Sequence, residues 1–177
     1  MNSPYMGDFY VSQKYTHGTH DGLDLVGVTH KDIHCVESGE VVYAGWENSA
    51  DHAQGFGQYV CIKNGTRYWY YGHLSSISVK VGDKVSITDI IGQEGSTGYS
   101  TGSHVHICVR IGGVKGNDLD VSQILGIPNV ASTTYLNDGS EATTYHSLKP
   151  GDVIPKGTYC PVCNRKLTKD ITFESDM

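Results

Sequence analysis

One segment constrains the fold of this chain more than any other. It is a glycine-rich loop followed by an apolar strand that carries two histidines. Residues 95–108 read Gly-Ser-Thr-Gly-Tyr-Ser-Thr-Gly-Ser-His-Val-His-Ile-Cys. The glycines allow loop conformations that a side chain would forbid, whereas side chains along a strand alternate between its two faces. His104 and His106 are therefore predicted to project from one side of the same strand. Paired imidazoles on a strand suit a metal site better than a core.

A second cluster supplies the other donors that such a metal site needs. Residues 20–24 read His-Asp-Gly-Leu-Asp. His20 and Asp24 are four residues apart, and this even spacing keeps them on one face of an extended chain. Gly22 leaves room for a close approach between them, whereas Asp21 is expected to point away because its offset from His20 is odd. Two histidines and one aspartate make a tetrahedral zinc set whose fourth position is open to water.

These motifs, together with Tyr-Gly-His at residues 71–73, occur in the order found in one known family. The series His-x-Gly-x-Asp, Tyr-Gly-His and Gly-Ser-Thr-Gly-x-Ser-Thr-Gly-x-His-Val-His resembles the M23 zinc metallopeptidases, which are the lysostaphin-type or LytM-type peptidoglycan endopeptidases. The resemblance covers about residues 15–110 and fades through Leu125. It implies a mainly β fold built on a curved antiparallel sheet, and one catalytic Zn2+.

The resemblance also implies roles for five residues of these motifs. His20, Asp24 and His106 would bind the metal, and His73 and His104 would be catalytic. One catalytic histidine would take the proton from the attacking water, and the other would hydrogen-bond the oxyanion or the water. Histidine suits either task because its unperturbed pKa is near 6.5. The sequence leaves open which histidine performs which task.

The segment before His73 is aromatic, with Tyr68, Trp69, Tyr70 and Tyr71 in succession. Strand alternation predicts that Trp69, Tyr71 and His73 share one face. The rings of Trp69 and Tyr71 are therefore expected to line the substrate groove.

One departure from the family pattern lies next to the metal ligands. Family members often carry Phe-Glu after the second histidine, where this chain has Ile107-Cys108. Cys108 continues the face of His104 and His106. We interpret it as an inert buried thiol; the alternative is a fourth metal ligand that would block the water position.

The composition favours strands and loops over helices, because the chain has 22 glycines and few long apolar periodic runs. The expected segments are an irregular lead-in at 1–14, a peptidase-like domain at 15–128, a Ser/Thr-rich linker at 129–147 and an extended C-terminal arm at 148–177. Strands are expected at 40–44, 58–63, 66–73, 90–94 and 104–111, with a type I′ hairpin turn at Asn64-Gly65 and a short helix or turn over 118–125.

The five cysteines are an odd number and do not indicate a disulfide framework. Cys160 and Cys163 in the arm have the spacing of half a structural zinc site. His146 or a second copy of the chain could complete that site. A redox motif, a disulfide or free thiols are the other interpretations.

Charge and hydropathy exclude several classes of protein. The net charge is −6 and lysines and arginines do not cluster, which argues against a nucleic-acid partner. No run approaches the roughly 20 apolar residues of a membrane span. The first ten residues lack the basic and apolar regions of a signal peptide.

The sequence thus predicts a zinc-dependent peptidoglycan hydrolase without an export signal, which suggests delivery by a bacteriophage. We expect a tail-associated or lysis enzyme, located in the virion or in the cytoplasm of the infected host and acting on the cell wall. Its expected partners are peptidoglycan and, through the arm, other tail proteins or a second copy of the chain. The alternative is a non-catalytic virion or cell-division protein that retains the peptidase fold for binding or structure.

Overall fold

The computed structural model of the chain describes residues 2–113, 116–136, 153–154 and 171–172. The predicted second metal site at Cys160 and Cys163, with His146, lies outside these residues. That site therefore stays a prediction from the sequence.

Short strands make up most of the regular structure in the described part of the chain. They are β1 Phe9–Gln13, β2 Gly22–Gly27, β3 Asp32–His34, β4 Gly39–Trp46, β5 Gln58–Asn64, β6 Arg67–Gly72, β7 Ser76–Ile77, β8 Lys84–Val85, β9 Ile90–Gln93, β10 Val105–Ile111, β11 Asn117–Asp118, β12 Thr133–Tyr135, β13 Val153–Ile154 and β14 Ile171–Thr172. The helix α1 spans Val121–Leu125, begins after the N-cap Asp120 and ends at Gly126, whose φ is 67°.

The main sheet has the strand order β12-β1-β2-β10-β6-β5-β4-β8, and β11 pairs with β10. Its strand pairs are all antiparallel. A smaller antiparallel sheet has the order β3-β9-β7, and β13 pairs with β14. The mainly β, antiparallel fold predicted from the sequence is confirmed. The five predicted strands are β4, β5, β6, β9 and β10, and the predicted short helix is α1.

One edge of the main sheet differs from the sequence prediction. The lead-in expected to be irregular contains β1, and the expected linker contains β12, which pairs with β1 from Phe9↔Tyr135 to Val11↔Thr133. The rings of Phe9 and Tyr135 are both buried, and their centroids are 5.7 Å apart. The prediction of irregular structure is therefore wrong for these strands, because each is stabilised by a partner far away in the sequence.

The hairpin between β5 and β6 is confirmed, but its turn is one residue later than predicted. Asn64 pairs with Arg67, so the two loop residues are Gly65 and Thr66. Gly65 has a φ of 56°, and Asn64 and Thr66 do not have positive φ. A positive φ confined to a glycine at the first central position is typical of a type II′ turn, not of type I′.

The central strands β2, β10 and β6 separate an apolar core face from a second face that carries the candidate site. Residues paired across strands point to the same face, and His106 pairs with both Asp24 and Gly72. Their neighbours on the opposite face are fully buried core residues: Leu23, Leu25, Val105, Ile107, Val109, Trp69 and Tyr71. We call the face that contains Asp24 and His106 the site face.

The prediction that Trp69 and Tyr71 line the substrate groove is wrong. Tyr71 pairs with Ile107, which places it on the core face, and Trp69 is buried with it. The polar atom of each side chain forms a hydrogen bond inside the fold. Trp69 Nε1 donates to the Glu37 carboxylate, and Tyr71 Oη accepts from the Val36 amide. Strand β6 ends at Gly72 and His73 has a φ of 63°, so alternation does not continue to His73.

A buried carboxylate connects the start of the loop at 95–104 to the rest of the fold. Glu94 is only 5 % exposed. Its Oε1 accepts from Lys31 Nζ at 2.7 Å and from Ser103 Oγ at 2.5 Å. Its Oε2 accepts from the Gly27 amide at 2.7 Å and from Tyr5 Oη at 2.5 Å. Glu94 thus fixes Ser103, which is the residue that precedes His104.

Replacing Glu94 by glutamine is expected to lower the free energy of unfolding by about 2–4 kcal/mol at pH 7, because hydrogen bonds to a buried charge contribute about 1.5–3 kcal/mol. Burial alone would raise the pKa of Glu94, but the surrounding donors outweigh burial and lower this pKa. A lowered folded-state pKa stabilises the protein above the ordinary carboxyl pKa, and this contribution is lost as the pH falls through the folded value. The difference between wild type and Glu94→Gln should therefore shrink in acid.

Urea unfolding at pH 7 and at pH 3 measures this difference. Glu40→Gln is a matched control, because Glu40 also pairs with a lysine, Lys84, but on the exposed surface, where ion pairs contribute little. Equal destabilisation of the two variants at pH 7 would contradict a special role for Glu94.

Candidate active site

Three side chains bring their donor atoms together at one end of the site face. Asp24 Oδ1 lies 2.8 Å from His106 Nδ1 and 3.1 Å from His20 Nε2. The donor atoms of the three residues all lie within 4.8 Å of one another. The β2–β10 register pairs Asp24 directly with His106, so the sheet itself holds two of the three donors in place. The structure thus places together the three residues that were predicted as metal ligands.

The donor set of His20 and Asp24 fits a cation. His20 Nδ1 lies 2.9 Å from the Lys14 carbonyl oxygen, which can only accept, so Nδ1 carries the proton. In the neutral imidazole the lone pair of Nε2 then faces Asp24 Oδ1, and two acceptors face each other at 3.1 Å. A metal ion between them satisfies both. Two imidazole nitrogens and one carboxylate, with a further position left to solvent, fit catalytic zinc.

Gly22 makes the close packing of this site possible, but the group that it admits is the His106 ring, whereas the sequence predicted room between His20 and Asp24. A Cβ atom on Gly22 would lie 2.6 Å from Cε1 and Nε2 of His106 and 2.6 Å from the Ile107 carbonyl oxygen. Atoms do not approach so closely without displacement. The absence of a side chain at this position therefore lets the His106 ring lie against β2.

The charges at the site favour a bound metal. Burial alone would raise the pKa of Asp24, but hydrogen bonds from His106 and His20 keep this pKa well below its ordinary value. Burial alone would lower the pKa of His106, but Asp21 and Asp24 outweigh burial and raise it well above its ordinary value. Asp24 therefore stays ionised, as a ligand must, and a metal at His106 would take the place of a proton.

The two predicted catalytic histidines lie beside this donor set. The His73 and His104 ring centroids are 4.6 Å apart, and His104 Nε2 is 3.7 Å from Asp24 Oδ2. His73 Nδ1 donates to the Thr97 carbonyl oxygen at 2.7 Å, and His104 Nδ1 donates to that of Gly102 at 2.8 Å. Burial lowers the pKa of His73 to about 4. His73 is therefore neutral at pH 7 and has an Nε2 lone pair that can accept a proton.

Asp21 was expected to point away from the site, and it is not one of the three clustered donors, but it lines the same cleft and lies beside His106. Its Oδ1 lies 3.2 Å from His106 Nε2, and its Oδ2 accepts from Arg110 Nη2 at 2.6 Å. The odd offset from His20 does turn Asp21 away from the three clustered donors. The preceding turn nevertheless places it on the other side of the His106 ring, because His20 and Asp21 lie before β2 begins at Gly22.

Cys108 belongs to a different group from the three clustered donors. It lies with Asp21 and His106, on the Nε2 side of the His106 ring, where the donor atoms are within 4.8 Å of one another. Burial raises the pKa of Cys108, so the thiol is neutral at pH 7, and Arg110 already neutralises Asp21. This geometry favours the interpretation of Cys108 as an inert buried thiol.

The donor set opens into a cleft of about 610 Å3. The cleft is lined by Gln13, Thr19, His20, Asp21, Asp24, Glu47, Gly55, Phe56, His73, Tyr99, Ser100, Thr101, His104, His106 and Arg110. Phe56 and Tyr99 provide its aromatic surface, and Tyr99 is 84 % exposed. The loops that carry these two residues are joined, since the Tyr99 amide donates to the Gly55 carbonyl oxygen at 2.9 Å. Sequence patterning did not identify either ring, because both lie on loops without strand alternation.

Comparison with known proteins finds relatives of this chain by sequence and by fold. Lysostaphin from Staphylococcus staphylolyticus is 42 % identical over 90 residues, which are 50 % of this chain and 18 % of that protein. The glycyl-glycine endopeptidase ALE-1 from Staphylococcus capitis is 39 % identical over 90 residues, which are 50 % of this chain and 24 % of that protein. The chain thus spans less than a quarter of the length of these relatives.

A solved structure gives the same result for the fold. The catalytic domain of a mutant of EnpA, a prophage-encoded M23 protein from Enterococcus faecalis, is similar with a TM-score of 0.55 and 30 % identity. The similarity covers 67 % of this chain and 94 % of that domain. The profile of Peptidase family M23 matches residues 18–120. The chain belongs to peptidase family M23.

Among its described residues, no helix is long and apolar enough to cross a membrane.

Proposed function

We propose that the chain is a zinc-dependent endopeptidase that hydrolyses the peptide stems or cross-bridges of bacterial peptidoglycan. The observation that carries the proposal is the cluster of His20, Asp24 and His106 beside His73 and His104 in an open cleft. Membership of peptidase family M23 supports the reaction class. One relative is named a glycyl-glycine endopeptidase, which supports a peptide substrate. A further relative, from Vibrio cholerae, is named a peptidoglycan DD-endopeptidase, which supports a substrate in the cell wall.

In this mechanism, His20, Asp24 and His106 would hold the metal. A bound Zn2+ ion would lower the pKa of a water molecule and polarise a carbonyl group. His73 and His104 each have Nδ1 fixed by a backbone carbonyl, so each can accept a proton only at Nε2. One of them takes the proton of the attacking water and later returns it to the leaving amine. Once protonated at Nε2, a ring held in this way can also donate a hydrogen bond to the oxyanion.

The cleft would bind the peptide through an aromatic wall beside the donor set. Phe56 and Tyr99 lie on two loops that are hydrogen-bonded to each other, so they form one continuous wall. An exposed tyrosine ring offers an apolar surface and a polar tip, which suits a peptide with few large side chains. Within the loop that carries Phe56, the Phe56 amide donates a hydrogen bond to the Glu47 carboxylate.

The test is hydrolysis of purified peptidoglycan, measured as the release of new amino groups. Cell walls with glycine cross-bridges and walls with direct cross-links should be assayed in parallel. We expect release from one of the two, loss of release when zinc is chelated, and recovery when zinc is restored. His106→Ala, assayed at the same concentration, should not recover with zinc. Binding of the zinc-loaded protein to both walls without hydrolysis would support the non-catalytic alternative instead.

We further propose that the enzyme acts in a bacteriophage setting, as a tail-associated or lysis enzyme. The similarity of its catalytic domain to a prophage-encoded M23 protein supports this setting. The association with other tail proteins or with a second copy, and the second zinc at Cys160 and Cys163, remain predictions from the sequence.

A further inference from the structure

His106 has a buried nitrogen that the proposed mechanism does not use. Its Nδ1 faces Asp24 in the candidate metal site, whereas Nε2 is fully buried on the opposite side of the ring. Among the described residues, Nε2 makes no hydrogen bond of regular geometry. Asp21 Oδ1 nevertheless lies only 3.2 Å away. A ring whose Nδ1 lone pair binds a metal carries its proton at Nε2, and a buried N–H needs an acceptor.

Asp21 is itself held in place from the other side. Arg110 donates to Asp21 Oδ2 through Nη2 at 2.6 Å and through Nε at 3.3 Å. The Arg110 guanidinium lies over two aromatic rings, 5.0 Å from the Tyr70 centroid and 5.7 Å from that of Phe56. The carboxylate is therefore fixed in position, with Oδ1 left to face His106.

We propose that Asp21 is a positioning residue for His106: it accepts the Nε2 proton and so directs the Nδ1 lone pair into the metal site. This inference rests on the zinc site of the proposed function. A carboxylate that accepts from the distal N–H of a metal-bound histidine fixes its tautomer and ring orientation, and loss of such a partner costs about 10- to 100-fold in metal affinity. Arg110 balances the charge of Asp21, so the pair adds no net charge beside the metal.

The test is the dissociation constant for Zn2+, measured by competition with a chromogenic chelator. Asp21→Ala should weaken zinc binding by about 10- to 100-fold. Asp21→Asn keeps an oxygen acceptor but loses the negative charge, so its loss should be smaller. Asp32→Ala is the control, because Asp32 lies on β3 in the smaller sheet and outside the cleft. Its zinc affinity should equal that of the wild type.

A second measurement separates positioning from a general structural role. In the zinc-loaded wild type, the His106 Nε2 proton should give a slowly exchanging NMR signal, and in Asp21→Ala this signal should exchange rapidly. Unchanged zinc affinity and an unchanged signal in Asp21→Ala would overturn the inference and leave the proposed function intact. Failure of the wild type itself to bind zinc would overturn both.

Discussion

His104→Ala and His106→Ala are expected to impair turnover in two different ways. His104→Ala should reduce turnover by about 100- to 10,000-fold, the usual contribution of a positioned proton-transfer group, while zinc content stays at the wild-type level. His106→Ala should lose both zinc and turnover. The difference arises because His106 Nδ1 lies 2.8 Å from Asp24 Oδ1, whereas His104 approaches the same carboxylate only at 3.7 Å.

Two measurements on the same preparations check this prediction: zinc per chain by elemental analysis, and amine release from purified cell walls. His34→Ala is the matched control, because the His34 ring hydrogen-bonds the Thr88 carbonyl oxygen away from the cleft. It should keep both zinc and activity. Equal zinc loss in His104→Ala and His106→Ala would reverse the assignment of ligand and catalytic residue.

The clustering of the donor set could be predicted from the sequence because it depends on local spacing. His106 lies at the start of β10 and His104 directly precedes this strand, and Asp24 lies within β2, so local spacing along an extended chain places each on a definite face. The β2–β10 register, which pairs Asp24 with His106, is a property of the folded sheet. The family order of the motifs supplied that information indirectly.

The errors arose where a local rule ended or a distant partner decided the structure. Alternation was extended from Trp69 and Tyr71 to His73, but β6 ends at Gly72 and the backbone of His73 turns to a φ of 63°. The glycine in Tyr-Gly-His was the available signal for that break. The position of Asp21 beside His106 does not follow from local spacing, because Asp21 is held by Arg110, which lies 89 residues away in the sequence.

The second large effect is expected from Gly22→Ala, a single added methyl group. Gly22 pairs with Cys108 where β2 begins, and the His106 ring lies directly against it. The new Cβ would lie 2.6 Å from the ring and 2.6 Å from the Ile107 carbonyl oxygen. The carbonyl belongs to the strand backbone and cannot move without opening the β2–β10 pair, so the ring must shift as well. Overpacking of this kind costs about 1–3 kcal/mol of stability.

The catalytic cost should exceed the cost in stability. A misplacement of about 1 Å lowers turnover by about 100-fold, and the ring of a proposed zinc ligand is the group displaced. Gly22→Ala should therefore fold, bind zinc more weakly and lose about 100-fold in turnover. Gly102→Ala is the matched control on the loop before His104, because a Cβ there has no atom within 4 Å. Chelator competition, amine release and urea unfolding on both variants test the prediction, and a Gly22→Ala enzyme as active as Gly102→Ala would contradict it. The difference between them would assign the loss to the close contacts of Gly22 with His106 and the Ile107 carbonyl, since both variants make the same chemical change.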